Sequence, residues 1–319
     1  MKKAIAILLT LIVVYLGVFA VYGPLRYRTF YGAAQQLASY RGIMDGFVPQ
    51  GMTQYETSGV YLVSGFMSKS KPSRLYVYPP GEAPRCICLQ KPDGSDYEGH
   101  AGGVTAVGGY VYISNAHKLF VLKTADVLAA KDGDTLAFIS FIEVPCNASF
   151  CSSDGQYLYV GEYHADGYET DVTHALTFGD ESFAALVFAY PVAPDGALEP
   201  DAVPVRVFAT PDKVQGVAVD GDKVYLSRSG AFYPSSLETY TLDGAADTVF
   251  SYDGNDLPCC VLGEARLVRA VPMPHMSEDV EIRGGRLLLG FESCALQSFA
   301  GLVPGTLRRF ASLDLQAIS

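Results

Sequence analysis

The sequence predicts an all-β fold, a β-propeller of four-stranded blades behind one N-terminal transmembrane helix, on three observations. First, a Gly-containing turn, a short strand rich in Tyr, Val and Leu and a small residue recur five times. The echoes are Gly59-Val-Tyr-Leu-Val-Ser64, Gly109-Tyr-Val-Tyr-Ile-Ser114, Gly155-Gln-Tyr-Leu-Tyr-Val-Gly161, Gly221-Asp-Lys-Val-Tyr-Leu-Ser227 and Gly285-Arg-Leu-Leu-Leu-Gly290. Second, their turn glycines lie 50, 46, 66 and 64 residues apart, close to the ~40–50 of a propeller blade with insertions. Third, four of the echoes sit among three other short apolar strands and the fifth among two, and four-stranded units repeated around an axis protect their own edges. Five blades are countable, with room for a sixth in the long intervals; a serial array of sandwiches would need about 100 residues per unit.

The elements follow in chain order. Lys2 and Lys3 precede an uncharged apolar run from Ala4 to Tyr22, about the ~20 residues that a helix needs to cross a bilayer. Its length exceeds the core of a secretory signal, so residues 1–23 are expected to be an uncleaved signal anchor, with Val18-Phe-Ala20 as the alternative cleavage site. The lysines favour a cytoplasmic N-terminus, weakened by Arg26 and Arg28, so the body is expected outside the cytoplasm, or secreted if the signal is cleaved. Residues 24–44 read as a stalk with a short helix over Tyr31–Ala38, and 45–319 as the propeller.

Blade one takes Gln50–Thr53, Val60–Ser64, Leu75–Tyr78 and Arg85–Leu89, and blade two takes Gly103–Val107, Tyr110–Ser114, Leu119–Leu122 and Ala137–Ile142. A short helix is expected over Thr124–Ala130. Blade three takes Ala148–Cys151, Tyr157–Val160, Leu186–Tyr190 and Val205–Phe208; blade four Val214–Val219, Val224–Ser227, Leu237–Tyr240 and Ala265–Val271. Blade five takes Asp279–Ile282, Leu287–Gly290 and Leu307–Leu313, closed locally or by residues 26–40. Glu162–Phe183 and Gly244–Cys260 are polar or rich in Gly, Pro and Asp, and read as long loops of the kind that carry function.

A net charge of −11 argues against nucleic acid or anionic lipid as partner, since both select basic surfaces. Seven cysteines, Cys86, Cys88, Cys146, Cys151, Cys259, Cys260 and Cys294, cannot all pair within the chain. Cys146 and Cys151 would bridge only with Cα atoms within about 7 Å. No pair has zinc spacing, so structural, partly buried thiols are expected. Asn147-Ala-Ser149 matches a glycosylation sequon at a strand start.

First strands of blades line the central channel, which brings Gln50, His100, Ser149, Gln215, Glu278 and Asp279 to one funnel. Such an oxygen-rich set suits a hard cation such as Ca²⁺, with Glu278 the best ligand; a His beside a carboxylate also suits a general base. A polar channel whose side chains bond one another is the plainer reading. Glu162, Arg228 and Glu292 follow second strands and mark one rim. The loop Gly161–His174 adds His164, Asp166, Asp171 and His174, which suit a metal or polar ligand or simply an exposed turn. Ser229 lacks a Gly-x-Ser-x-Gly elbow, and Gly102-Gly103 opens a strand rather than a phosphate loop.

The blocks Gln50-Gly-Met-Thr, His100-Ala-Gly-Gly-Val, Val214-Gln-Gly-Val-Ala, Met276-Ser-Glu-Asp-Val and Phe291-Glu-Ser resemble a group of poorly characterised secreted or membrane-anchored bacterial β-propeller proteins, over most of residues 45–300. More remotely the body resembles gluconolactonase and paraoxonase propellers. That resemblance implies calcium held by Glu278, Gln215, Gln50 and His100 and hydrolysis of lactones or esters, although those enzymes use Asn and Asp where this chain has Gln. No other cofactor is implied. No nucleophile, base and oxyanion stabiliser assemble in the sequence, so a binding module for a small molecule, glycan or protein is the first expectation and a metal-assisted hydrolase the alternative.

Overall fold

The computed structural model describes residues 2–230, 233–298 and 305–318. Helix α1, Lys2–Arg26, is long and apolar enough to cross a membrane, a test that a signal sequence would also pass. The side chains of Val18-Phe-Ala20 lie outside the described ones. Helix α2, Arg28–Ala33, follows directly. Strand β1, Ala34–Ser39, then occupies the stretch that the sequence assigns to the end of a helix. Tertiary pairing overrides local propensity there, because β1 completes blade five.

Blade one holds β2 Phe47–Tyr55, β3 Val60–Met67, β4 Lys71–Tyr78 and β5 Arg85–Gln90; blade two holds β6 Val104–Val107, β7 Tyr110–Asn115 and β8 Lys118–Lys123. Helix α3, Thr124–Ala129, agrees with expectation. The expected outer strand at Ala137–Ile142 divides: β9, Thr135–Ala137, runs back to pair in parallel with β5, and only β10, Ser140–Glu143, completes blade two. Blade three is β11 Ala148–Ser153, β12 Tyr157–Glu162, then, after a small hairpin of β13 Leu176–Phe178 and β14 Glu181–Phe183, β15 Ala185–Pro191 and β16 Arg206–Thr210. Blade four is β17 Val214–Asp220, β18 Lys223–Arg228, β19 Ser235–Thr241 and β22 Leu267–Met273. Between β19 and β22 the expected loop is the hairpin β20 Thr248–Tyr252 and β21 Asn255–Val261, which adds β21 in parallel to β16. Both former loops thus carry strands.

Blade five comprises β23 Ser277–Arg283, β24 Arg286–Phe291 and β25 Arg309–Asp314, followed by helix α4, Leu315–Ile318. Its fourth strand is β1, paired antiparallel to β25 from Ala34↔Leu313 to Ser39↔Arg309. The ring therefore closes with five blades and an N-terminal strand. Five apolar clusters fill the seams; the one between blades one and two, for example, packs Leu62, Leu75 and Ile87 against Val111 and Phe120. All seven cysteines are free thiols, five buried and two half-buried.

The inner strands β2, β6, β11, β17 and β23 touch one another around the axis, so closely that three glycines, two within β2 and β17 and one just ahead of β6, abut the next blade's backbone. A Cβ on Gly51, Gly103 or Gly216 would come closer than 3.0 Å to the amide of Val104, Cys151 or Val280. Opposite these positions lies the small residue that ends each echo. Four inner strands bulge there: Gln50-Gly51 faces Ser64, Gln215-Gly216 faces Ser227, Glu278-Asp279 faces Gly290, and Ser149 is the extra residue at Gly161. Such bulges re-aim a side chain. Seryl groups at these positions bond to the neighbouring blade, as Ser64 Oγ to Ala101 O at 3.0 Å and Ser227 Oγ to Ser277 Oγ at 2.7 Å.

Overpacking a tight contact costs about 1–3 kcal/mol. Gly51→Ala and Gly216→Ala are therefore expected to lower the unfolding free energy read from chemical denaturation by that amount each, whereas Gly32→Ala, in α2 with nothing within 4 Å, leaves it unchanged or raises it. Equal effects at all three positions would contradict the close approach.

Candidate functional site

The axis divides into a plugged half and an open half. At the hairpin end of β23, Glu281 and Arg283 form a buried ion pair at 2.6 Å. Glu281 also accepts the hydroxyls of Thr53 and Thr105 and the amide of Ser153. Arg283 donates to Ser153 O at 2.6 Å, Ala106 O at 3.0 Å and Gln54 O at 3.3 Å. One residue pair thus ties blades one, two and three to blade five. Sequence reading missed this pair, because Arg283 precedes Gly284-Gly285 and looks like the edge of an exposed turn. One level up, Asp279 is almost wholly buried and accepts the amides of Val104 at 3.3 Å and Val280 at 3.1 Å. Burial first, then the Glu281 charge, raises its pKa well above the ordinary carboxylate range. Asp279 therefore forms the floor beneath the mouth instead of lining the mouth with the other inner-strand residues.

Above that floor the bulges present Gln50, Ser149, Gln215 and Glu278. Gln50 Nε2 donates to its neighbour's carbonyl at 3.0 Å and to Glu292 Oε2 at 3.1 Å. Glu292, placed just after β24, joins Gln50 and Glu278 although it was read as a rim residue. Burial pushes its pKa up to about 7, against the lowering effect of the Gln50 bond. Glu278 is buried, and its pKa is raised well above the usual value by desolvation first, then by Glu292 and Asp279. Its carboxyl accepts no hydrogen bond from the described residues.

Tyr163, one residue past the end of β12, stands at the position in its blade that Glu292 holds in blade five. Its amide donates to Ser149 Oγ at 3.0 Å. Its hydroxyl pKa is raised by burial and then by the charges of Glu278 and Glu292. The equivalence of strand ends was the signal that could have found Tyr163. His100 stacks on Phe66, centroids 4.5 Å apart at 29°, and its amide donates to Asn115 Oδ1 at 2.8 Å. His100 is exposed as a residue, yet the protein around its imidazole desolvates it, and that lowers its pKa. Gln215 sits half-buried at the β17 bulge.

The remaining rim residues have internal partners. Glu162 is buried, pairs with His174 Nδ1 at 2.7 Å and accepts the Leu186 amide at 3.0 Å, pinning the base of the 163–183 excursion. His164 lies between Asp212 at 2.8 Å and Glu169 at 3.3 Å. Burial works to lower its pKa, but these two carboxylates outweigh it and hold the imidazole above its ordinary value. Asp171 accepts the amide and hydroxyl of Thr173 at 2.8 Å, which lowers its own pKa, and Asp166 is exposed. Arg228 is held by Glu238 at 2.8 Å and by Asp212 O at 2.9 Å.

Calcium takes roughly 6–8 oxygens, and two of the expected donors at the mouth are already engaged. Asp279 is turned to backbone amides, Gln50 is engaged with Glu292, and no three His, Cys, Asp or Glu residues cluster as metal ligands among the described residues. What the mouth offers is two adjacent carboxyl groups, an amide and aromatic rings. Two surface grooves, of about 440 and 630 Å³, lie away from it along the outer edge of blade one, the first lined by Arg41, Arg85 and Asp132.

No protein-family model matches the chain, and no curated protein matches it. Among solved structures, it is similar to hydrazine synthase of Kuenenia stuttgartiensis at 12% identity, over 76% of this chain and 55% of that one, TM-score 0.37. The chain therefore spans about half the length of that protein. The tail fibre of Staphylococcus aureus phage P68 gives 13% identity over 88% and 52%, TM-score 0.40. Myxococcus xanthus glutaminyl cyclase gives 11% identity over 88% and 94%, TM-score 0.40. At that level these likenesses carry no argument about function.

Two predictions follow from this axis. A carboxyl whose folded pKa exceeds its unfolded one, about 4.3 for Glu, contributes stability that is present below the unfolded value and lost as pH rises through the folded value. Melting temperature of the wild type relative to Glu292→Gln is expected to fall between pH 4.5 and 7 and to level off above; a flat difference would show that Glu292 titrates normally. For the plug, Arg283→Met leaves Glu281 buried and unpaired, a change that typically costs about 3–5 kcal/mol. Urea denaturation should register it, and a loss below 1 kcal/mol would mean that the pair does not bind the blades together.

Proposed function

We propose that the protein is a membrane-anchored extracytoplasmic propeller that binds a small ligand rich in hydrogen-bond donors, an organic amine above all, in the mouth of its axis. The observation that carries this reading is Glu278: a buried carboxyl without a hydrogen-bond donor among the described residues, beside a second carboxyl, Glu292. Burying carboxyl groups is costly unless they are protonated or paired. A ligand ammonium group placed between them would pair both, shift them toward the ionised form and release protons on binding. The nearby ring of Tyr163 offers an aromatic face to the rest of such a cation. Supporting the anchor are the length of α1, its charge-free apolar run and the exposure of its side chains from Ile5 to Leu16.

A second reading, hydrolysis of a lactone or ester, is favoured by one observation. Glu292, with a pKa of about 7, is tuned for general-base work near neutrality. On that reading Glu292 would take a proton from water, and Glu278, kept protonated by burial, would donate to the developing oxyanion.

The test is titration calorimetry of the full chain in detergent against a panel of amines, including ethanolamine, choline and a polyamine, at pH 5 and pH 8. Tighter binding at pH 8 with proton release is expected. Loss of a charged hydrogen bond, about 1.5–3 kcal/mol, should weaken binding by Glu278→Gln roughly ten- to a hundredfold. A panel without a binder, or a binder indifferent to Glu278→Gln, overturns the amine reading. Turnover of lactones and aryl esters that Glu292→Gln abolishes would establish the second.

A further inference from the structure

We infer that the open mouth of the axis faces the lipid bilayer, with apolar loop tips on that side seated in the interface. This rests on the reading of α1 as a membrane anchor.

The first observation is where α1 leaves the body. Only Tyr27 separates it from α2: its amide bonds back to Gly23 O at 3.0 Å at the end of α1, and its carbonyl accepts the Tyr31 amide at 2.9 Å at the start of α2. Tyr27 itself leaves helical geometry, at φ −107° and ψ 27°, so α1 and α2 meet end to end at a bend. Tyr27 is fully buried, edge-on to His275 with centroids 6.4 Å apart, and closes over Gly305; Phe30 meets Phe291 edge-on at 5.7 Å. His275 precedes β23, Phe291 ends β24 and Gly305 precedes β25, all on the mouth side. At the other end of α2, Ala34 pairs with Leu313 near the far ends of their strands, and α4 packs against α2 there. Helix α2 thus descends the seam of blades four and five from the mouth side, and α1 leaves the body at that mouth-side end, its side chains from Ile5 to Leu16 exposed and its chief contact with the body made through α2.

The second observation is independent of α1. Among the described residues, the four most exposed large apolar side chains outside α1 all stand on mouth-side loops: Val172 at 86%, Met44 at 80%, Tyr233 at 73% and Tyr168 at 67%. They come from three separate loops, before β2, after β12 and after β18, and Leu296 after β24 adds a fourth. Apolar tips spread around one face of a soluble body suit the headgroup boundary, where such groups bury to about 5–10 Å. The chain's acidity disfavours an anionic surface, so the surface that fits is zwitterionic. The ligand of the mouth then arrives along the membrane plane or from the bilayer itself.

The chain has no tryptophan, so single-tryptophan variants of the full protein report their own depth in phosphatidylcholine vesicles carrying brominated acyl chains. Leu11→Trp marks the helix, Tyr168→Trp and Tyr233→Trp the mouth side, and Val203→Trp, exposed on the loop between β15 and β16, the opposite side. Expected is loss of most emission from the first three and none from Val203→Trp. If Leu11→Trp keeps its emission, the anchor fails and this orientation falls with it. If Leu11→Trp is quenched while Tyr168→Trp and Tyr233→Trp are no more quenched than Val203→Trp, the anchor stands and the orientation is overturned.

Discussion

Backbone meeting backbone at the axis is the constraint on which the rest of this structure depends. Five inner strands converge so tightly that Gly51, Gly103 and Gly216 leave no room for a methyl group against the next strand. A regular ladder would carry side chains into that space. Bulging at the same level in four blades avoids the collision, and a Ser or Gly on the neighbouring strand accommodates the extra residue. The extra or re-aimed residues are Gln50, Ser149, Gln215 and Glu278. The polar character of the mouth is thus a by-product of closing a narrow ring, put to use by the residues placed there.

The two halves of the axis solve the problem of buried charge in opposite ways. Glu281 and Arg283 satisfy each other and take hydroxyls, amides and carbonyls from three other blades. A pair so bonded resists perturbation and fixes blade positions. Glu278 and Glu292 have one amide between them and no cation among the described residues. Unsatisfied polar groups are costly inside a fold, and they persist where something other than stability maintains them. Satisfied and unsatisfied buried charge therefore lie along a single strand, β23, within a few residues.

Much of the architecture was legible because the repeat signal is physical: Tyr and Val alternate over a short strand, and a small residue must follow where the bulge packs. Blade limits, the helix after β8 and the convergence of inner strands could be read from that. The strand β1 could not, since Ala34-Gln-Gln-Leu-Ala-Ser39 has helical propensity and only its pairing with β25 settles it. Likewise β21, with Pro258 inside it, reads as a loop until the edge of blade three receives it. Turn chemistry misled by one residue in blade two, where Gly108 and not Gly109 adopts positive φ. At the site, Gln50, Glu278 and Glu292 were visible from strand position. Tyr163 carried the same strand-end signal and was passed over, whereas the Glu281–Arg283 pair carried none, because burial between blades is a long-range outcome. Residues such as Glu162 and Arg228 looked available in sequence only because their partners, His174 and Glu238, lie in other segments of the chain.

Closure through β1 also imposes an order of events. The bond from the Phe291 amide to Tyr40 Oη joins residues 251 positions apart, and the β1–β25 ladder spans still more sequence. Contacts of that range are slow to form, and the ring stays open until they do. Blade five is consequently the last seam to set while a ribosome is still delivering strands, and the strand nearest α1 must wait, unpaired, for a partner made only after every other blade.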